Sequence, residues 1–147
     1  MNPNNYASLA ASKRLVEAGI VLETEALWVK WYFDTSTNMN YSPFEWRLMY
    51  RSLTQVDLEY IPAPSMAEVW RELPETIDEY DLTCEKIFNG GMQAGYTTYD
   101  VSGLRWKVLL NAANPTDALI DLLIHIKGLT RTNRYAIKCP SNNGGDL

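Results

Sequence analysis

The one histidine of this chain, His125, stands four residues after Asp121, and imidazole is the side chain whose unperturbed pKa lies closest to neutrality. On a helix the two share a face, where a carboxylate can orient an imidazole for proton transfer. No nucleophile or second ligand stands at a recognisable spacing, so an ordinary contact on the solvent side of a helix is the simpler reading. Carboxylates gather at Glu72, Glu75, Asp78, Glu79 and Asp81, and paired carboxylates can serve hydrolysis or metal-assisted chemistry. These lack the D-x-D-x-D-G order of a calcium loop, and a solvated acidic edge accounts for them. Gly90-Gly91 fits neither G-x-G-x-x-G nor G-x-x-x-x-G-K-[ST] and reads as a turn. Cys84 and Cys139 belong to no CxxC pattern, and neither G-x-S-x-G nor H-E-x-x-H occurs. The expectation is no catalytic residue, no metal, no cofactor and no enzyme activity.

Recognition requires less specific machinery. Five tryptophans and nine tyrosines are amphipathic groups that give contact area at low entropic cost. The densest group is Tyr41, Phe44, Trp46, Arg47, Tyr50 and Arg51, an aromatic and arginine mixture typical of contact surfaces. Folding Phe44, Trp46 and Tyr50 back onto the core is the simpler reading. The sharper one names Trp28, Tyr32, Trp46, Arg47, Tyr50 and Arg51 as ligand- or partner-binding residues.

The elements that must carry these side chains follow from pattern. A helix is predicted over Ser8–Ala18, with Leu9, Leu15 and Val16 as apolar contacts and Gly19 as its stop. Ala26–Phe33 is rich in aromatic and β-branched residues and predicts a strand. Its alternation sets Leu27, Val29, Trp31 and Phe33 on one face and Trp28, Lys30 and Tyr32 on the other. Asp34–Pro43 has loop composition, and Phe44–Val56 reads as a short helix or an irregular excursion. Ser65 and Glu68 form a capping box ahead of Met66, Val69, Trp70 and Leu73, with Trp70 as a core anchor and Pro74 as the terminator. From Tyr80 the period becomes two, predicting a meander of Tyr80–Phe88, Tyr96–Val101 and Leu104–Leu110 through turns at Asn89-Gly90-Gly91 and Ser102-Gly103. In its third strand Leu104, Trp106, Val108 and Leu110 are expected on one face. Asn114, Pro115 and Asp117 start a final helix, whose apolar stripe from Ala118 to Ile126 lies across the sheet and which Gly128 should end.

At 147 residues, one cohesive core is feasible without staples. The expected fold is α+β, a small antiparallel sheet of about four strands packed by two to three helices. Residues 1–138 form a single domain, and 139–147 a flexible polar tail. A formal charge of -5 argues against nucleic-acid backbone binding, and the basic residues Arg131, Arg134 and Lys138 read as a solvated segment. No apolar run approaches the ~20 residues needed to span a bilayer. The N-terminal residues have no basic and apolar export signal, so a reduced cytoplasm is expected.

ASKRLVEAGI, IPAPSMAEVWRELPE and NPTDALIDLLIHIKGL give the chain an early helix, a middle helix closing with Leu-Pro, and a late helix opening with Asn-Pro-x-Asp-Ala. In order and spacing, between Ala11 and Leu129, this resembles a group of short uncharacterised proteins of bacteriophages and prophages of gut Bacteroidetes-type bacteria. The resemblance implies a phage origin and a place in the host cytoplasm, and it supplies no active site. The leading expectation is an accessory protein that binds a host protein or a small-molecule ligand, as an inhibitor or a sponge. The alternative is a structural protein that assembles with itself as a homo-oligomer, and a small enzyme built around Asp121 and His125 stands third.

Overall fold

The computed structural model describes residues 1–33, 43–54 and 57–136, with side chains up to residue 128. Tyr41, Cys139, the side chains of Arg131 and Arg134, Lys138, and the expected tail at 139–147 lie outside the described residues. The chain folds as α+β, with three α-helices and two antiparallel sheets among the described residues.

The first helix, α1 (Leu9–Glu17), opens where the Ser8 hydroxyl accepts the Ala11 N–H and closes before Gly19, whose φ is 75°. It buries Ala11, Ser12 and Leu15, whereas Val16, about 100° round the helix from Leu15, is exposed. Strand β1 (Ala26–Tyr32) follows and pairs with β2 (Phe44–Tyr50). The segment from Phe44 is therefore a strand and not a helix or an excursion. FEWRLMY alternates apolar with charged residues through Arg47, a period-two pattern that pairing with β1 satisfies. A single 3-10 turn (Arg51–Leu53) ends it. β3 (Tyr60–Pro62) completes this sheet on the other side of β1.

In α2 (Met66–Glu72) both halves of the capping box are made, at 3.2 Å for the Glu68 N–H to the Ser65 hydroxyl and 2.8 Å for the Ser65 N–H to the Glu68 carboxylate. Val69 and Leu73 are buried, but Trp70 is 40% exposed. It is no core anchor, because adjacent residues of a helix lie about 100° apart and Val69 already faces the interior.

The second sheet has the order β4 (Thr76–Ile77), β5 (Tyr80–Lys86), β6 (Met92–Asp100) and β7 (Gly103–Ala112). The expected meander is present. Gly90 turns the first hairpin with a φ of 89°, a conformation costly for any residue with a Cβ. One expectation fails in β7. Tyr96 pairs with Val108 but Thr97 pairs with Trp106, leaving Lys107 as an extra residue. A β-bulge of this kind switches the faces of the residues on either side. Val108 and Leu110 join the core, while Trp106 and Leu104 stand 58% and 43% exposed on the other face.

The final helix, α3 (Pro115–Ala136), starts with the Asn114 side chain accepting the Asp117 N–H at 2.8 Å. It runs through Gly128 to Ala136, because one exposed glycine costs a helix only about 1 kcal/mol. Ala118, Leu119, Ile120, Leu122 and Leu123 are fully buried, and each large aliphatic contributes about 1.5–3 kcal/mol relative to exposure. One side of α3 covers β5 to β7, and α1 and α2 pack against it from the other. The Asp117 carboxylate also accepts the Ser8 N–H at 2.8 Å, tying the start of α1 to the start of α3. The Tyr96 hydroxyl donates to the Pro74 carbonyl at 2.7 Å, and burial pushes this phenol up to about 12. No helix among the described residues is long and apolar enough to cross a membrane.

Candidate functional site

The register of β1 and β2 decides which side chains can act together. Lys30 lies opposite Trp46, and Tyr32 opposite Phe44, so all four share one face and form a square at the far end of the hairpin. The Lys30 ammonium sits 4.2 Å from the centre of the Phe44 ring, 5.9 Å from Tyr32 and 6.0 Å from Trp46. From α1, Lys13 brings a second ammonium to 5.6 Å from the Trp46 ring. These are cation–π distances, and each such contact is worth about 0.5–1 kcal/mol when exposed and more when desolvated. The Tyr32 and Phe44 rings meet at 6.0 Å with a 55° tilt, inside the range for favourable aromatic pairs.

The other end of the same face is closed. Tyr6, Ala26 and Ala63 are buried there, with Trp28 and Leu48 packed against them. The Trp28 indole N–H donates to the Ala7 carbonyl at 2.9 Å, which makes Trp28 a tie between β1 and the N-terminal segment. Tyr50 lies opposite Ala26 at this closed end and is partly exposed. Nearby, the Tyr6 hydroxyl donates to Glu25 at 2.7 Å, and that bond, then burial, raises the Tyr6 phenol well above its ordinary value.

Arg47 points to the reverse face of the sheet, opposite Val29. Its guanidinium lies 5.1 Å from the Trp31 ring and 5.5 Å from Phe33, and its Nε is 2.5 Å from Glu45. Arg51 belongs to a third location. Its Nε donates to the Thr24 carbonyl at 2.8 Å, and its guanidinium lies 6.0 Å from the Tyr60 ring in a cleft of about 560 Å³. Glu23, Glu25 and Glu68 give that cleft an acidic wall. Two of its carboxylates are engaged by protein donors, Glu25 by Tyr6 and Glu68 by the Ser65 and Glu25 amides.

Of the six residues singled out by composition, the structure thus brings only Tyr32 and Trp46 together at an open corner. Trp28 and Tyr50 share their face at its closed end, and the two arginines are elsewhere. Lys13, Lys30 and Phe44 are the additions. The period of β1 places Lys30 on the Trp28 and Tyr32 face, but its aromatic neighbours emerge only once Phe44–Tyr50 is a strand.

The groups considered for catalysis are dispersed. Asp121 is held by Arg14, whose Nε and Nη2 lie 3.1 and 3.0 Å from one carboxylate oxygen, and His125 is exposed beyond it. Asp78 pairs with Lys107 at 2.9 Å. Cys84 is half-buried under the core, and burial pushes its thiol up, away from the thiolate that a nucleophile requires. No family model, curated protein or solved structure matches the chain.

Proposed function

We propose that this protein acts by binding, through the open corner of the three-stranded sheet where Tyr32, Phe44 and Trp46 surround the Lys30 ammonium. The carrying observation is that three aromatic rings converge on one cation at a surface, with Tyr32 56% exposed. Rings left to the solvent cost free energy that a partner's contact recovers, and aromatic groups dominate such contacts. In this reading the chain is a phage accessory protein working in the host cytoplasm, as a host-directed inhibitor or a small-molecule sponge. The phage attribution rests on the resemblance of the three helix-bearing segments.

Native mass spectrometry of the protein purified from infected cells tests the reading. A retained mass that disappears in the Tyr32→Ala/Trp46→Ala double variant supports it. A mass retained equally by both proteins contradicts this choice of surface.

One observation favours a second reading, self-assembly. Strand β7 is ten residues long and forms an edge of the four-stranded sheet, and Tyr99, Leu104 and Trp106 are exposed beside it. Unpaired edges with apolar neighbours promote strand-to-strand association. Light scattering at micromolar concentration separates the two, since a strict monomer contradicts assembly.

A further inference from the structure

The open corner carries more than aromatic surface. Lys30 keeps only 21% of its side chain exposed, and the one ion pair it makes among the described residues, to Glu59, is 3.5 Å long. A charge-assisted hydrogen bond is shorter, about 2.7–2.9 Å. The rings around Lys30 attract its charge through their quadrupoles but accept little hydrogen bonding, so its three donors are poorly used. Lys13 makes no ion pair with the described residues. Two ammonium groups thus lie within 6.0 Å of the centre of one indole, beside an exposed phenol ring.

A ligand that completes this corner needs a compact anion joined to a flat ring. The anion supplies acceptors to Lys13 and Lys30, and the ring stacks on an exposed aromatic. Inorganic phosphate would leave the rings uncovered, and a neutral base would leave the ammonium donors unused. A long polyanion is disfavoured, because the patch offers two cations on a chain of net charge -5, and further phosphates would meet a negative surface.

We infer that Lys13, Lys30, Tyr32 and Trp46 form a binding site for a free mononucleotide, with the phosphate held by the ammonium groups beside Trp46 and the base against Tyr32. This rests on the binding role proposed for the same corner and specifies its ligand class.

Calorimetric titration of the full chain with adenosine 5′-monophosphate is the test, with adenosine, inorganic phosphate and a short oligothymidylate as the other arms. The nucleotide should bind saturably and more weakly as salt rises, with adenosine and phosphate each at least about tenfold weaker. Lys13→Ala and Tyr32→Ala should each weaken binding by about tenfold, the scale of one charge-assisted bond or one base stack. Both positions are exposed, so circular dichroism should show an unchanged fold. Trp106→Ala, on the other sheet, should bind like the parent protein.

The inference is overturned if the adenine, guanine, cytosine and uracil monophosphates all give no saturable heat at millimolar concentration. It is equally overturned if both variants bind like the parent, or if the oligonucleotide binds more tightly than the mononucleotide. Should the nucleotides fail while a co-purified mass still depends on Tyr32 and Trp46, only the ligand class falls. Should that dependence be missing too, the proposed binding surface falls with it.

Discussion

Strand β6 buries four consecutive residues, Ala94 to Thr97, whereas β2 buries none of its seven. Both contain aromatic and other apolar residues, so composition alone does not separate them. What differs is cover. β6 is internal to its sheet, with α3 over one face and the Leu109 side chain lying across Gly95 on the other. β2 is an edge strand whose Phe44 and Trp46 meet the ammonium groups of Lys30 and Lys13. The lesson is a division of labour. The four-stranded sheet and α3 hold the fold, and the outer corner of the three-stranded sheet is left partly uncovered, as the proposed binding role requires.

The strongest way to break this contrast is to remove volume under α3. Leu122→Ala should cost about 2–5 kcal/mol, as truncating a fully buried leucine does, read as a fall in the denaturant midpoint. A loss below about 1 kcal/mol would mean that α3 is not the keystone.

Gly95→Ala probes the other face of β6. A Cβ there would run into the Val108 carbonyl and the Leu109 side chain, and overpacking of this kind costs about 1–3 kcal/mol. The same measurement reads it, and an unchanged midpoint would show that β7 can shift away freely.

Tyr96 sharpens the contrast through pH. Its phenol is raised from 10.0 to about 12 by burial, so as pH passes 10 the unfolded chain releases the proton while the folded protein keeps it. The stability tied to this group is intact below pH 10 and is lost as pH climbs to about 12. Tyr96→Phe should lose about 1 kcal/mol near neutrality, with its bond to the Pro74 carbonyl. It should also show a shallower alkaline decline, retaining the part due to Tyr6. Equal slopes for the two proteins would contradict the burial assigned to Tyr96.

At the other extreme, Tyr32→Ala should change stability by no more than about 1 kcal/mol, the size of one exposed cation–π contact. A loss comparable to that of Leu122→Ala would show that the aromatic corner is structural after all.

Local chemistry explains which of these features the amino-acid order discloses. The Ser65–Glu68 box and the Asn114-Pro115 start are set by neighbours in sequence, and both appear where their residue types require. The alternation of Tyr80, Leu82 and Cys84 likewise marks the core face of β5. β2 was hidden because Phe44–Tyr50 follows a loop-like Asn, Ser, Thr and Pro run, and only its partner β1 makes it a strand. Three-residue β3 and two-residue β4 are too short to show a period. The Lys107 bulge is a property of the pair of strands, so Trp106 and Val108 look equivalent until their partners are known. The candidate site suffers most from this. The Lys30 and Tyr32 half can be read along β1, but the Phe44 and Trp46 half depends on register, and Lys13 arrives from a different helix.

Native-state amide hydrogen exchange tests the division of labour most directly, because it reports the free energy of opening strand by strand. The hydrogen-bonded amides of Ala94–Thr97 and of residues 118–123 should exchange only with global unfolding, and those of β2 through a distinctly smaller opening. Equal opening free energies for β2 and β6 would contradict the account.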